Sequence, residues 1–574
     1  MRTRFIVGFS FLLILPTLRA EQSQARNLRD LIQSGKLAEL RWPGFSPMRG
    51  YLTTFYESRG YSPAWTRERA PTIQAAALIG LLQHADKKGL NPEDYDGSRW
   101  TDRLARLRRP RADQAEEDLI VFDLALTVCS MRYISDLEIG RVNPRVFCFG
   151  LDTDQKECHL AEVESQLWET ADVAGLVSGL EPLFPGYRRT EQALERYIEL
   201  ARIDDGELLP ATKKPVQPGD AYPGIARLEQ LLRLLGDLPA ETPSPPNLYE
   251  GSVVDAVKHF QARHGLDVDG RIGRTTLEQL NTPLQHRVLQ LELTLERWRW
   301  VPSSFSRPPI VVNIPEFRLH ALDERYESEL EMKVVVGGAY RHQTPVFSND
   351  MTSVIFRPYW IVPLSIQRAE LVPKIAKDPG YLAANDYEIV DAHTNVVRGD
   401  VTADTIQQLN SGKLQIRQKP GGLNALGLIK FLFPNVYDVY LHGTPAKALF
   451  SKSRRDFSHG CIRVESPEEL AAWVLQDLPE WTPECIRQAE NGAATRQVNL
   501  PQPIPVFIVY GTVIVSRTGE IFFFDDIYGH DKSLADALSH GYPYSGWRPS
   551  PPRFGKSRAG SFPQECTADR ERVP

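Results

Sequence analysis

The residues best suited to covalent chemistry lie within one short stretch of this sequence. Cys461 closes the tetrapeptide Ser-His-Gly-Cys at residues 458–461, and His442 ends an apolar, tyrosine-bearing run upstream of it. A cysteine thiol has a free pKa of about 8.5, so only a few per cent of it is thiolate at neutral pH. A nucleophilic cysteine therefore needs a base, and His442 could be that base if a strand–loop–strand return brings its ring beside the sulfur.

The neighbouring residues supply parts that such a site requires. The carbonyl of Gly443 could hold one ring nitrogen of His442, which would leave the other nitrogen facing the thiol. Gly460 permits the backbone torsions of a tight turn. The backbone N–H groups of His459, Gly460 and Cys461 could then face a developing oxyanion, an interaction worth several kcal/mol in acyl transfer.

Three other interpretations of Cys461 fit the residues alone. A cysteine in a glycine turn is often a small buried side chain. His442, His459 and Cys461 could bind zinc, although a fourth ligand with the close spacing of structural sites is missing. Cys461 could also be half of a disulfide. The residue types by themselves leave these alternatives open.

The motif around the pair resembles a known family signature. His-Gly-Thr at residues 442–444 is followed after a loop by Ser-His-Gly-Cys-Ile-Arg-Val at residues 458–464, which resembles the signature of the L,D-transpeptidases of the YkuD type. In that family the downstream cysteine is the nucleophile and the upstream histidine is its base, which implies these roles for Cys461 and His442. The motif often ends in asparagine where this chain has Arg463, and the arginine form resembles the large multidomain Gram-negative branch.

The resemblance implies that the protein cross-links peptidoglycan by acyl transfer. The Cys461 thiolate would attack the third stem residue, release the terminal D-alanine and leave a thioester, which a diaminopimelate amine would resolve into a 3→3 bridge. Ser458 and His459 would shape the turn. A thiolate–imidazolium pair suffices for this chemistry, so no metal and no organic cofactor is expected. The implied partners are donor and acceptor stem peptides and cell-wall synthases, and carbapenems are implied acylating agents.

Other functions remain open at this point. Water instead of an amine would make the same site an L,D-carboxypeptidase, and a protein amine would make it a lipoprotein-attaching enzyme. A different class is a non-catalytic peptidoglycan-binding scaffold. Three residues are candidates for substrate contact: Tyr440 beside the cleft, and Arg417 and Lys430, which border the strand leading to His442 and could pair with peptide carboxylates. Solvent exposure is the usual state of such cations.

The N-terminus and the charge indicate where the protein acts. Arg2 and Arg4 precede an apolar run at residues 5–15, and residues 1–20 are predicted to be a secretory signal peptide cleaved after Ala20, although Leu18 and Arg19 make an imperfect cleavage site. An uncleaved anchor is the alternative, and no later stretch is predicted to span a membrane. The expected location is the periplasm. A net charge of −6 gives no support for nucleic-acid binding.

The six cysteines are interpreted for an oxidising compartment. Cys148 and Cys158 flank a short polar loop, and a disulfide between them is one expectation. Cys129 lies in an apolar helical run and is expected to be a buried thiol. Cys485 and Cys566 have no obvious partner in the sequence.

At 574 residues the chain is expected to hold several domains in a multidomain α+β architecture. Residues 21–203 show helical periodicity, and the phrases YSPAW, GLNPEDY and GRVNP resemble the scaffold domain of the same multidomain transpeptidases. Residues 204–222 are polar and proline-broken, which indicates a linker. Residues 223–285 are predicted to be a small three-helix bundle, whose sequence resembles a peptidoglycan-binding domain.

The pattern changes to short β-rich runs in the last large segment. Residues 286–544 are predicted to form the catalytic domain, mainly a β-sandwich or barrel-like structure. An insertion of mixed sequence at residues 367–422 interrupts the strands and resembles a capping subdomain. Residues 545–574 are rich in proline, glycine and basic residues and are predicted to be disordered.

Overall fold

The structure is a computed structural model that describes residues 27–109, 114–153, 156, 158–241, 248–339 and 342–544. The predicted signal peptide at residues 1–20 and the predicted disordered tail at residues 545–574 lie outside the described residues. The chain divides into two compact units. The first comprises Met1–Ile203, Leu284–Ser304 and Asp531–Pro574, and the second comprises Asp204–Pro283 and Phe305–His530.

The first unit is helical, as its apolar periodicity predicts. Its one small hairpin pairs β1 (Thr66–Arg67) with β2 (Ala70–Pro71) in the described part of the chain. The α-helices of this unit include Arg49–Glu57, Ile73–Gln83, Trp100–Arg108, Ala115–Glu138, Leu160–Glu169, Val173–Leu180, Pro185–Ile203, Leu284–Trp298 and His530–Ser539. Short 3₁₀ turns occur at Ser46–Met48, Ala85–Lys88, Pro92–Tyr95, Gly97–Arg99 and Pro144–Phe147.

A buried carboxylate explains the YSPAW phrase of this unit. Asp123 is fully buried and accepts hydrogen bonds from the backbone N–H groups of Ala64 (3.0 Å) and Trp65 (2.7 Å). The hydroxyl of Tyr56 donates a third, at 2.7 Å. Burial raises the pKa of Asp123 to about 6, and these donors act in the opposite direction. The turn is therefore fixed to the long central helix by a charge that would be costly to leave unpaired.

Two segments that the sequence placed in the catalytic domain belong to the first unit. The helix Leu284–Trp298 contributes Glu296, whose buried carboxylate accepts from the N–H groups of Arg141 (2.5 Å) and Val142 (3.1 Å) in the GRVNP turn. Near the end of the described chain, the hydroxyl of Tyr544 donates to Asp94. The predicted domain boundaries at residues 286 and 544 therefore need correction, because these contacts bind both segments to the helical unit.

The second unit begins with the predicted helical bundle. Its helices are Ile225–Leu235, Ser252–Arg263 and Arg274–Leu280. The preceding residues 204–222, predicted to be a linker, pack against this bundle instead. Leu209 and Val216 are buried, and Val216 forms an isolated β-bridge with Ile272. The sequence pattern missed this because prolines interrupt the segment while single apolar residues still anchor it.

The region predicted to be catalytic is a closed mixed sheet. Its strands are β3 (Ile310–Asn313), β4 (Arg318–Leu322), β5 (Ser328–Gly337), β6 (Phe347–Phe356), β10 (Ile429–Leu432), β11 (Leu441–His442), β12 (Asp456–Ser458), β13 (Ile462–Val464) and β14 (Arg496–Val509); β7, β8 and β9 belong to the insertion described below. The order is β12-β5-β13-β11-β10-β6-β14-β3-β4, and β4 also pairs with β5. That additional pairing closes the ring, which confirms the barrel-like expectation.

Smaller elements surround the ring. The helices Pro467–Val474 and Pro483–Asn491 and the 3₁₀ turn Lys447–Ser451 follow or join its strands. A separate hairpin pairs β15 (Val513–Val515) with β16 (Ile521–Phe523). Inward apolar residues alternate with more exposed ones along the ring strands, as in Ile429 to Leu432, so each strand presents one face to the core.

The predicted capping insertion folds as a small subdomain with its own core. Its sheet has the order β7-β9-β8, formed by Trp360–Ile361, Gln415–Gln418 and Tyr387–Val390. Its helical segments are Leu364–Ile366, the π-helical turn Gln367–Leu371, Val372–Lys377, Tyr381–Ala384 and Ala403–Ser411. The subdomain starts before residue 367, because Trp360 and Ile361 pair with β9. None of the helices in the described ranges is long and apolar enough to cross a membrane.

Candidate active site

Neighbouring strands bring His442 and Cys461 to the same face of the sheet. β11 and β13 run parallel, with Leu441 opposite Ile462 and His442 opposite Arg463. The N–H of Ile462 donates to the carbonyl of Tyr440 at 3.1 Å, which places Cys461 beside Tyr440. Because side chains alternate along a strand, His442 and Cys461 share one face while Leu441 and Ile462 point to the buried core.

The ring of His442 is fixed in one orientation. Its Nδ1 lies 2.6 Å from the carbonyl oxygen of Gly443, and because a carbonyl can only accept, Nδ1 carries the proton and donates. The side chain is buried, with 4% of its surface exposed. Nε2 is therefore the lone-pair nitrogen available to take a proton. The Gly443 contact is the one expected from the sequence.

The charge state of the pair differs from the expected thiolate–imidazolium form. Burial, assisted by the positive charges of Arg463 and Lys430, lowers the pKa of His442 to about 3. Burial also raises the pKa of Cys461, although hydrogen bonds from Tyr440 and the charge of Lys430 act in the opposite direction. At neutral pH the resting pair is therefore a neutral imidazole and a neutral thiol. The proton must move during the attack.

The sulfur is partly exposed and has defined neighbours. The thiol of Cys461 contacts the carbonyl oxygen of Asp438 at 3.5 Å. The ring of Tyr440 lies next to His442, with ring centroids 5.7 Å apart, and Lys430 Nζ lies 3.7 Å from the Tyr440 centroid. Tyr440 and Lys430, two of the three predicted substrate contacts, therefore border the sulfur.

The turn that carries Cys461 is held by the side chain of Ser458. The hydroxyl of Ser458 donates to the carbonyl of Cys461 at 2.5 Å and accepts from the N–H of Gly460 at 3.1 Å. Gly460 has a φ of +115°, which favours glycine. The sequence had placed the Gly460 N–H in the oxyanion pocket, but here that donor is engaged within the turn. His459 points away from the pair, and its Nε2 lies 2.7 Å from Glu370 of the capping subdomain.

Thr344, a residue that no sequence motif singles out, supports this turn from another strand connection. Thr344 is fully buried, its hydroxyl donates to the carbonyl of Gly460 at 2.8 Å, and it accepts from the N–H of Gly337 at 2.9 Å. The two ends of the first contact are 116 residues apart in sequence. No local spacing connects them, so only the folded sheet identifies this residue.

Replacing Thr344 by valine is expected to destabilise the catalytic turn. The substitution keeps the shape of the side chain but leaves the buried Gly337 N–H and the Gly460 carbonyl without this hydrogen-bond partner. Each buried polar group left unpaired lowers the free energy of unfolding by about 1–3 kcal/mol. We expect a lower melting temperature and slower turnover. Thr344→Ser, which retains the hydroxyl, is the matched control. Equal behaviour of the valine and serine variants would contradict the role of the hydroxyl.

A second glycine fixes the carbonyl that orients the base. Gly427 has a φ of +63°, and a Cβ there would lie 2.7 Å from the carbonyl carbon of Gly443 and 2.7 Å from the nitrogen of Thr444. Real Cβ atoms do not approach backbone this closely. Close packing of two backbones thus sets the position of the Gly443 carbonyl, and through it the ring of His442.

Gly427→Ala is therefore expected to lower turnover at least about 10-fold, because a displacement of about 1 Å in a positioning group can cost about 100-fold in rate. The left-handed backbone adds about 1–2 kcal/mol of strain. Gly421→Ala is the control, since a Cβ at Gly421 meets nothing within 4 Å. Turnover numbers and melting temperatures check the prediction. Unchanged turnover in Gly427→Ala would show that the close packing of Gly427 against the Gly443 backbone does not orient His442.

Arg417 does not reach the catalytic pair. Its guanidinium donates to Glu388 at 2.5 and 2.8 Å within the capping sheet, and it lies 4.3 Å from the ring centroid of Tyr359. Arg463 and Lys430 differ from it, because in the described part of the chain neither forms an ion pair with a carboxylate. Among the described residues, positive charge without a carboxylate partner therefore lies on both sides of His442.

The cysteines follow the sequence expectations only in part. Cys461, Cys129, Cys158 and Cys485 are free thiols, so Cys461 is not half of a disulfide. Burial raises the pKa of Cys129 to about 12, as suits an inert buried thiol. The expected Cys148–Cys158 bridge does not form: Cys148 is disulfide-bonded, but Cys158 is not its partner. Within the described ranges no group of three or more His, Cys, Asp or Glu residues could hold a metal ion.

Three segments of the chain match known protein families. Residues 307–507 match the family described as "L,D-transpeptidase catalytic domain", residues 222–280 match "Putative peptidoglycan binding domain", and residues 50–194 match "Scaffold domain". A "Putative L,D-transpeptidase" of Haemophilus influenzae is 32% identical over 245 residues, which is 43% of this chain and 48% of the relative. The chain thus spans about half the length of that curated relative.

Among solved structures, an L,D-transpeptidase (residues 123–326) from Xylanimonas cellulosilytica shares 16% identity, covering 52% of this chain and all of that one. Its TM-score is 0.16, so this likeness carries no argument. The family matches divide the chain into a scaffold region, a peptidoglycan-binding region and a catalytic-domain region. In particular, the chain carries a YkuD-type L,D-transpeptidase catalytic domain together with a peptidoglycan-binding domain.

Proposed function

We propose that this protein cross-links peptidoglycan by forming 3→3 bridges through a thioester on Cys461. One observation carries the proposal: His442, whose Nδ1 donates to the carbonyl of Gly443, shares a sheet face with the partly exposed thiol of Cys461. A neutral base beside a neutral thiol can start acyl transfer without a pre-formed ion pair.

The first half of the reaction transfers the acyl group to sulfur. His442 Nε2 takes the thiol proton as the sulfur attacks the carbonyl carbon of the third stem residue. The tetrahedral oxyanion then collapses, the C–N bond breaks, and the imidazolium returns the proton to the leaving amine of D-alanine. The N–H groups of His459 and Cys461 are the proposed oxyanion donors, and Ser458 and Gly460 hold the turn that presents them.

The second half releases the acyl group to an amine. The side-chain amine of a diaminopimelate on a neighbouring stem attacks the thioester carbonyl and passes its proton to His442. The C–S bond breaks, and the thiol regains its proton from the imidazolium. The positive charges of Lys430 and Arg463 favour the anions formed along this path. Tyr440, beside the sulfur, is the proposed wall of the donor site.

The same thioester supports two close alternatives. Water as the acceptor gives an L,D-carboxypeptidase, and a protein amine gives attachment of a lipoprotein to the wall. The domain content of the chain supports a role at the cell wall for both alternatives, because a peptidoglycan-binding domain accompanies the catalytic domain. We further propose that residues 1–20 direct export, that the protein acts in the periplasm with cell-wall synthases as neighbours, and that carbapenems acylate Cys461.

Product analysis tests the proposal against its alternatives. The purified protein is incubated with a tetrapeptide-stem muropeptide, and the products are separated and identified by mass spectrometry. A 3→3-linked dimer with one D-alanine released per bond is the expected result. Free tripeptide stems without dimer would instead establish the carboxypeptidase. No D-alanine release and no carbapenem adduct would contradict an enzymatic role and favour a binding scaffold.

A further inference from the structure

Three nitrogen-bearing side chains form a row across adjacent strands. Lys430 of β10 is opposite His442 of β11, and His442 is opposite Arg463 of β13. Residues opposite one another on neighbouring strands share a face, and the strands are about 4.8 Å apart. The proposed base therefore lies between two cations, on the face that carries Cys461.

Lys430 is an unusual cation within this row. It is only partly exposed, and its ammonium lies over the ring of Tyr440 at 3.7 Å from the centroid. Burial lowers its pKa, while Cys461, when ionised, and the carboxylate of Asp438 act in the opposite direction. Among the described residues it forms no ion pair within 4.0 Å, unlike Arg417 on its Glu388. A partly buried ammonium without a carboxylate partner is costly and fits an anionic ligand.

The direction of the reaction indicates which anion this is. The nucleophile is on β13, the proton donor to the leaving amine is His442 on β11, and Lys430 is on β10, the next strand. The leaving group departs from the sulfur towards His442. In an α-amino acid a single carbon separates the amine from the carboxylate, so the carboxylate of the leaving residue extends one more strand spacing, towards Lys430. Arg463, on the strand of the nucleophile, lies on the acyl side.

We propose that Lys430 binds the free α-carboxylate of the amino acid released from the donor peptide. The inference rests on the proposed function and adds a specificity to it. The site distinguishes donors whose leaving residue ends in a carboxylate from donors in which that group is an amide. The contact also holds the leaving amine at His442 Nε2, where it receives its proton.

The test compares two donor peptides on the full chain. One is the tetrapeptide stem with a free terminal carboxylate, and the other is the same stem with a C-terminal amide. Release of D-alanine or D-alaninamide gives kcat/KM for each. Loss of a charged hydrogen bond costs about 10- to 100-fold, so we expect the wild type to prefer the acid by that factor. Lys430→Met should lose this preference, because kcat/KM should fall much more for the acid donor than for the amide donor.

Two further variants make the result decisive. Lys430→Arg keeps the charge and should retain most of the preference, and Lys36→Met, an exposed lysine of the first unit, should leave both values unchanged. Lys430→Gln replaces the methionine variant if the latter melts at a lower temperature. If Lys430→Met lowers kcat/KM equally for the acid and the amide donor, or lowers it for neither, the inference is overturned. If the wild type releases no amino acid, or Cys461→Ala still does, the proposed function itself fails.

Discussion

Cys461→Ala is expected to abolish D-alanine release from a tetrapeptide stem, lowering turnover by more than about 10⁴-fold. No other described thiol lies on the face that carries His442, and removal of a nucleophile costs about 10⁴- to 10⁶-fold in comparable acyl-transfer enzymes. The fold should survive, because Cys461 is at the surface of the sheet and partly exposed. Steady-state release of D-alanine, followed chromatographically, measures the effect.

Cys461→Ser and Cys485→Ala are the informative controls. Serine preserves the size of the side chain, but a hydroxyl ionises far less readily than a thiol, so this variant should also be inactive. Cys485 is a free, partly exposed thiol in the helix Pro483–Asn491, and its alanine variant should keep wild-type turnover. Retained activity in the alanine variant of residue 461 would mean that the site lies elsewhere.

His442→Gln is expected to lower turnover about 10²- to 10⁴-fold, the usual contribution of a general base. Glutamine can still hydrogen-bond to the Gly443 carbonyl, so the loss reports proton transfer more than folding. The ratio of kcat for D-alanine release between wild type and variant at neutral pH measures this loss. Turnover within about 3-fold of the wild type would exclude His442 as the base.

The same substitution should change the pH dependence of stability. Burial lowers the pKa of His442 to about 3, while the unfolded chain binds this proton below about 6.5. The unfolded state therefore holds more protons between these values, and His442 reduces stability as pH falls from about 6.5 towards 3, by up to about 1.4 kcal/mol per pH unit. His442→Gln should lose this part of the slope. Parallel melting-temperature profiles for wild type and variant would contradict the burial argument.

Local pattern predicted the elements of this protein well. The helical periodicity of residues 21–203 and the short β-rich runs of the last large segment follow from apolar spacing, which is set by neighbours along the chain. The helix Ala115–Glu138 and the strand Ile310–Asn313 are examples. The Cys461 motif was recognisable because its residues are contiguous. Closure of the ring through β4 and β5 agreed with the barrel-like expectation, although alternation alone does not distinguish a barrel from a sandwich.

Contacts between distant segments were not predictable in this way. Thr344 supports Gly460 across the sheet, and the helix Leu284–Trp298 joins the first unit through a buried Glu296. Neither contact leaves a spacing signal. The disulfide expectation failed for a related reason: a short loop between Cys148 and Cys158 permits a bridge, but the fold decides which thiols meet. The charge state of His442 likewise depends on burial, which sequence spacing does not give.

Intact-mass spectrometry of the purified chain with a tetrapeptide stem tests the central claim most directly. We expect the wild type to gain the mass of the donor less one D-alanine, the mass of an acyl group held as a thioester, and Cys461→Ala to gain nothing. Hydroxylamine, which cleaves thioesters, should remove the adduct. A wild type that shows no adduct while releasing D-alanine in quantity, or an alanine variant that carries the same adduct, would contradict a thioester on Cys461.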